Sequence, residues 1–356
     1  MSVSYLWADK YRPTDFDQLD YHKEQATDLK NLTKDGDFPH LLVYGPLGAG
    51  KKTRIMCILR ELFGPGVEKL KEETMTFTTP SNKKLEILAI SSLHHIELNP
   101  SDVGHNDRVV IMDIIKNVAQ THQLNMNSQK NFKVIVLTDA DDLSKDAQHA
   151  LRRTMEKYVA NCRIILCATS ISRVIPAIRS RCLCIRVSAP SVDTIKSILK
   201  RVSADQKVPV PDALANTIAQ QSEGNLRRAL LMCEAASVND YKMNYSKPDW
   251  EVFIEKTASI ILKEQTLQGI AKVRKHLYEL IVNGIPSELI FKVLLKCLLQ
   301  ASPEIADKVV EEAAAYQHRC VQGNKEIFHL EAFVTKFMCL YNGLYSGMDD
   351  FFKDDF

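Results

Sequence analysis

The sequence predicts an α/β core with a parallel sheet built around a phosphate-binding loop, followed by helical segments only. Three stretches carry this reading. Phe38 to Thr53, FPHLLVYGPLGAGKKT, runs from apolar residues into a glycine loop and then into helical spacing. Phe132 to Asp142, FKVIVLTDADD, sets a continuous apolar run before a group of carboxylates, as for a buried parallel strand. From Trp250 to Tyr345 the pattern is helical throughout, with runs such as IFKVLLKCLLQ that are too apolar for a solvated face.

Residues 2–13, SVSYLWADKYRP, lead in, and Asp9, Lys10 and Arg12 make them unlike a core segment. Residues 21–34 suit an amphipathic helix. Leu41 to Tyr44 form the first buried strand. Gly45 opens the loop, and Gly48 and Gly50 keep side chains out of it. From Arg54, Ile55, Ile58, Leu59 and Leu62 share a helical face that Gly64-Pro65 ends. Strand, glycine loop and helix are the context in which backbone N–H groups cradle a polyphosphate, with Lys51 beside it. Ala49, Lys52 and Thr53 complete the candidate phosphate contacts. The motif asks for Ser or Thr after the lysine, to hold Mg²⁺. Lys52 stands there instead, and Thr53 is turned away by roughly 100°, so Mg²⁺ binding is doubtful.

Residues 66–84 read as a polar, exposed connection, and Leu85, Ile87 and Ala89 alternate as a strand. A helix follows from Asp107, another spans Lys145 to Tyr158, and further strands cover Arg163–Thr169 and Leu183–Val187. Strands alternating with helices give a parallel α/β core. Ala189-Pro190 marks its end. Short helices fill 191–240, a polar linker spans 237–250, and MDDFFKDDF reads as a frayed tail. The domains expected are 1–188, 189–240 and 241–345, with a flexible tail at 346–356.

Composition narrows the function classes. The chain has 356 residues with 46 basic and 44 acidic side chains, net +2. Nucleic-acid binding would therefore need a local patch rather than a global field. No signal peptide or apolar run of membrane length stands out, so a soluble intracellular protein is expected, without membrane contact. Nine cysteines lie at irregular spacing without a zinc-site pattern. Cys57, Cys167, Cys233, Cys297 and Cys339 read as reduced core residues. Adjacent His94 and His95 read as surface or packing residues.

KYRP at 10–13, FPHLLVYGP at 38–46, Ala140-Asp141, DAQHALRRTME at 146–156, SRC at 180–182 and GNLRRAL at 224–230 stand in the order seen in replication factor C small subunits. The whole chain resembles this family, the eukaryotic sliding-clamp loader of AAA+ proteins. The resemblance implies an AAA+ core, a helical lid and a helical collar through which five subunits form a ring. It implies ATP or ADP as ligand, the other subunits, the PCNA sliding clamp and primer–template DNA as partners, and a nuclear location. It places Tyr11 and Arg12 near the adenine, Arg227 as the lid arginine and Arg181 as an arginine finger reaching a neighbour's γ-phosphate. Arg108, Arg152, Arg153 and Arg173 are then candidate DNA-phosphate contacts. Val109 to Ile115 offers either a clamp-binding edge or, the favoured reading, packing onto the sheet. Met348-x-x-Phe351-Phe352 is a weak candidate clamp-binding box.

The same register exposes departures. The family's metal-supporting Asp falls on Thr138 and its water-activating Glu on Asp139, shorter by about 1.5 Å of reach. The sensor Asn falls on Thr169. With Lys52, four positions of the hydrolysis machinery have changed, so the site is expected to bind nucleotide without turning it over usefully. Two alternatives remain: a stand-alone phosphate-loop ATPase or kinase, which needs the altered Mg²⁺ positions, and a scaffold that has lost the ligand, against which the intact loop argues.

Overall fold

The computed structural model describes residues 6–34, 36–78, 84–120, 132–159, 161–238, 247–323 and 325–351, with side chains left out at 78, 84–85, 105, 117–120 and 344–351. Two compact units divide the chain between residues 245 and 246.

The first unit holds α1 (Trp7–Lys10), α2 (Lys23–Thr33), β1 (Leu41–Tyr44), α3 (Lys51–Phe63), β2 (Lys71–Thr78), β3 (Lys84–Ser91), β4 (His95–Leu98), α4 (Asp107–Gln120), β5 (Lys133–Leu137), α5 (Lys145–Lys157), β6 (Cys162–Ala168), α6 (Pro176–Arg179) and β7 (Leu183–Arg186). Its sheet runs β2-β3-β4-β5-β6-β1-β7. The five strands from β4 to β7 are mutually parallel, in register Leu41↔Ile165, Leu41↔Leu183 and His95↔Val134. One apolar layer covers each face. Val110, Ile111, Ile114 and Ile115 of α4 join Leu151 and Met155 of α5 on one side. Ile55, Ile58, Leu59 and Leu62 of α3 join Ala26 and Leu29 of α2 on the other. Strands buried on both faces read as unbroken apolar runs, which is why β1, β5 and β6 are plain in the sequence.

Two expectations need correction here. The supposed connection at 66–84 contains β2, which pairs antiparallel with β3, and β3 pairs antiparallel with β4, so the sheet is mixed. KEETMTFT leaves most of its side chains exposed at the sheet edge and lacks the apolar run of a central strand. The lead-in is also not loose: Trp7 is buried among the helices α7 (Val192–Asp205), α8 (Asp212–Gln221) and α9 (Leu226–Val238), and its backbone N–H donates to the Glu234 carboxylate at 3.0 Å. The histidines pack, as expected, and His94 stacks on Phe63 with ring centres 4.7 Å apart. His95 is buried with Nδ1 2.7 Å from the Ser92 hydroxyl, a packing role. Val110, Ile111, Ile114 and Ile115 do pack onto the sheet, whereas Val109 is half-buried and Met112 exposed.

The second unit holds α10 (Asp249–Lys263), α11 (Leu267–Val282), α12 (Ser287–Ala301), α13 (Ala306–Gln322) and α14 (Glu326–Phe351). Phe291, Leu294, Leu298, Leu330, Phe333 and Phe337 form its centre. The last helix runs past Tyr345 to Phe351, so the tail expected from residue 346 starts as helix. The side chains of the candidate clamp-binding box, and most of the linker at 237–250, lie outside the described residues. All nine cysteines are free; Cys57, Cys167 and Cys233 are buried as expected, Cys297 is half-buried and Cys339 is exposed.

Removing the indole that joins the lead-in to α7–α9 should be costly. Trp7→Ala is expected to destabilise the fold by about 3 kcal/mol, read as a lower urea midpoint by circular dichroism. An unchanged midpoint would show that the contact contributes nothing.

Candidate nucleotide site

The phosphate loop connects the C-terminal end of β1 to the N-terminus of α3, between neighbouring strands β6 and β7. Its backbone needs glycine at two points. At Gly45 (φ +151°) a Cβ would stand 1.9 Å from the Val187 carbonyl oxygen. Gly50 caps α3 at φ +83°, a left-handed conformation that L side chains rarely adopt. The Lys51 ammonium is buried and donates to the carbonyls of Gly45 (2.7 Å) and Pro46 (3.0 Å). It is a compact point charge placed at the loop.

Beneath the loop lies a group the sequence analysis did not single out. Arg54 is fully buried and donates to the carbonyls of Ala49 (3.3 Å), Gly50 (3.4 Å) and Tyr21 (3.1 Å). Its guanidinium lies 4.7 Å from the centre of the Tyr21 ring, and the Tyr21 hydroxyl donates to Ala49 at 2.7 Å. The available signal was a charged residue in register with the apolar face of Ile55, Ile58 and Leu62.

A cavity of about 450 Å³ opens over this loop, a size suited to a small-molecule ligand. Gly48, Gly50, Lys51, Lys52 and Thr53 line one side, Tyr11 and Arg12 another, and Leu226, Arg227 and Leu230 of α9 a third. Thr138, Asp139 and Glu97 close it at the strand ends. The loop, lead-in, lid and strand-end residues named from sequence therefore converge on one space. Gly45 and Ala49 shape the loop without lining the cavity. Arg227 pairs with Asp9 at 3.4 Å, and Tyr11 accepts a hydrogen bond from Gln206. Asn225, at the start of α9, lies so close that a side chain at Gly48 would meet it at 1.8 Å.

The carboxylates after β5 do different work. Asp139 adopts φ +48° and receives a long hydrogen bond from Asn99 at 3.5 Å. Burial and the neighbouring Asp142 and Asp141 carboxylates raise its pKa, against the pull of Lys51. Asp141 is buried away from the cavity. It accepts from the N–H groups of Thr169 (3.0 Å) and Ser170 (3.1 Å) and from the Thr169 hydroxyl. Burial pushes its pKa up, but these bonds outweigh that and hold it below the ordinary value. The Thr169 hydroxyl is thus committed to Asp141, and the Thr138 hydroxyl donates to the Leu98 carbonyl at 3.3 Å. Lys52 pairs with buried Glu97, a second group missed from sequence; its sign, opposite to the unusual lysine, was the clue.

Arg181 lies elsewhere. It lines a separate depression with Phe38, His40 and Arg163, and its guanidinium donates to Glu156 (2.6 Å) and to the Ala177 carbonyl (2.8 Å). Its side chain is 36% exposed, so it is tethered but accessible. Arg108 and Arg153 are exposed, Arg152 is half-buried and Arg173 pairs with Asp142 at 2.9 Å. The structure does not gather these four into the nucleotide cavity.

The parallel five-strand order, the glycine loop and the helical lid together define an AAA+ nucleotide-binding fold. A solved Thermotoga maritima RuvB variant matches it with TM-score 0.50 and 17% identity, over 82% of this chain and 91% of that one. Residues 250–345 match "Replication factor C subunit 3, C-terminal domain", 197–238 "RCF1/5-like, AAA+ ATPase lid domain" and 21–191 "DNA polymerase III, delta subunit". Human replication factor C subunit 3 is 56% identical over 341 residues, 94% of this chain and 96% of that protein. Schizosaccharomyces pombe replication factor C subunit 5 is 46% identical over 353 residues, 97% and 99% of the two chains. The chain belongs to the replication factor C subunit 3/5 family of clamp-loader proteins.

Asp141 supplies a pH test. A carboxylate held below its ordinary value of 3.8 contributes stability that is full above that value and is lost as pH falls through the lower folded one. Wild type should exceed Asp141→Asn by about 2 kcal/mol near neutrality. The gap, from urea titrations, should shrink only below ~pH 4; a gap independent of pH would show that the charge plays no part.

Proposed function

We propose that this chain is the nucleotide-holding, weakly hydrolysing subunit of a heteropentameric replication factor C, and that it lends Arg181 to a neighbour. In this reading residues 1–188 are the AAA+ core, 189–240 the lid and 241–345 the collar that joins the ring. The complex loads the PCNA sliding clamp onto primer–template DNA in the nucleus, using ATP. Tyr11 and Arg12 face the base, Lys51 the phosphates, and Arg227 the phosphates from the lid once it leaves Asp9.

The observation that carries the reading is a separation. The residues assigned to the phosphates meet in one cavity, whereas Arg181 stands outside it in a separate depression. An exposed ion pair such as Arg181–Glu156 contributes only about 0–1 kcal/mol, so the guanidinium is released at little cost. Delivered in trans to a γ-phosphate, such a group is worth ~10³–10⁵ in rate. Within the chain's own cavity, Thr138 replaces a carboxylate. Asp139 is one methylene short of the usual glutamate, and a misplacement of about 1 Å costs on the order of a hundredfold. Arg108, Arg152, Arg153 and Arg173 act as phosphate contacts to DNA, which give position and salt dependence without reading sequence.

Two measurements test this. Steady-state ATPase of the isolated chain should be low and indifferent to Lys51→Ala; a clear Lys51-dependent rate rejects weak hydrolysis. In the assembled complex, Arg181→Ala should leave the mass of the assembly unchanged. Turnover at the served site should fall by ~10³, seen as loss of one site's share of total ATPase, and an unchanged total would remove the finger.

A further inference from the structure

In phosphate-loop proteins the residue after the loop lysine supplies a hydroxyl to Mg²⁺, and a strand-end carboxylate supports the ion. The residues present do not fit that ion. Lys52, at the hydroxyl position, lines the cavity beside Glu97. Its side chain is 44% exposed and its ammonium pairs with Glu97 near the end of β4, whose side chain is only 9% exposed. The Thr138 hydroxyl is committed to the Leu98 carbonyl. Asp139 leaves the strand end in a left-handed conformation and is bonded to Asn99. Among the described residues, no group of three His, Cys, Asp or Glu side chains gathers where it could hold a metal ion.

We infer that Lys52, anchored by Glu97, takes the place of the divalent cation, so that the site binds metal-free nucleotide di- or triphosphate. The inference rests on the nucleotide-binding reading of this cavity and specifies the ligand's ionic form. The physical case is one of charge. A divalent cation placed between the phosphates and the strand end would stand against a fixed positive charge a few ångströms away, and at that separation repulsion outlasts salt screening. The ammonium needs no metal because three N–H donors can face phosphate oxygens and Glu97 at once. Glu97 is a positioning residue. Its carboxylate is buried, and a buried charge persists only when paired, so it holds the flexible lysine stem toward the cavity. An ion built into the chain neither dissociates with product nor depends on the metal concentration around it.

The test is equilibrium binding of mant-ADP and mant-ATP to the full-length chain, in excess Mg²⁺ and in EDTA. Wild type should bind in EDTA within twofold of its affinity in Mg²⁺, or more tightly, since Mg²⁺ in solution competes for the nucleotide. Lys52→Ser restores the hydroxyl and frees Glu97 to support an ion, so its affinity should become at least tenfold dependent on Mg²⁺. Because that variant leaves a buried carboxylate without its partner, Lys52→Ser with Glu97→Gln is measured beside it. The double variant should lose affinity in EDTA relative to wild type by tenfold or more. A wild-type affinity that falls tenfold or more in EDTA overturns the inference while leaving nucleotide binding intact. Absence of binding in both conditions overturns the nucleotide reading itself, and this inference with it.

Discussion

A guanidinium sealed beneath the phosphate loop is the constraint on which this site depends. Isolated burial of a charge costs several kcal/mol, and Arg54 is about 1% exposed. It is tolerated because its donors reach three backbone carbonyls and its face lies on Tyr21. Two of those carbonyls, at Ala49 and Gly50, belong to the loop, and the third joins the loop to the segment before α2. The loop's N–H groups can point at a ligand only if its carbonyls are satisfied from behind, and Arg54 and the Tyr21 hydroxyl do that. These bonds fix the loop from within the protein, and a loop held in place loses less freedom when it binds.

The same cavity has two unequal halves. On the loop side every feature needed to hold phosphate is present: the glycines, the buried Lys51 and a helix N-terminus. On the strand-end side the polar groups are committed elsewhere. Thr138 bonds to β4, Thr169 to Asp141, and Glu97 to Lys52. Asp141, the most strongly hydrogen-bonded carboxylate of the four-residue DADD run, fixes the turn after β6 and contributes nothing to the cavity lining. Holding a phosphate needs static complementary charge, while cleaving it needs donors and acceptors free to change partners, and the strand end has few of those.

Much of this was legible in the sequence because it is local. β1, β5 and β6 are unbroken apolar runs, and the loop motif fits within one strand–helix junction. What escaped depends on distant partners. Trp7 looks like part of a polar lead-in because the helices that bury it come nearly two hundred residues later. Glu97 sits in HHIEL, a strand too short and too polar to read as one, and its meaning appears only when Lys52 is placed against it. β2 is an edge strand whose exposed charges look like those of a loop. The left-handed backbone at Asp139 has no sequence signal, since aspartate tolerates both conformations.

The arginines show how one side chain serves opposite ends according to its surroundings. Arg54 is walled in, its terminal nitrogens directed at backbone carbonyls, and its removal would take the side-chain donor from the Tyr21 carbonyl and leave a buried space beneath the loop; such a group is a permanent part of the frame. Arg181 and Arg227 hold their carboxylate partners, Glu156 and Asp9, at the surface, where water competes for both members of each pair. Exchange of such a partner for a phosphate oxygen is close to neutral before the ligand's greater charge is counted, and favourable after it. Immobility where the loop must keep its shape, and exchangeable pairing where an arginine must change partners, follow from burial alone. That division suits the role proposed above, in which the subunit lends Arg181 to a neighbour.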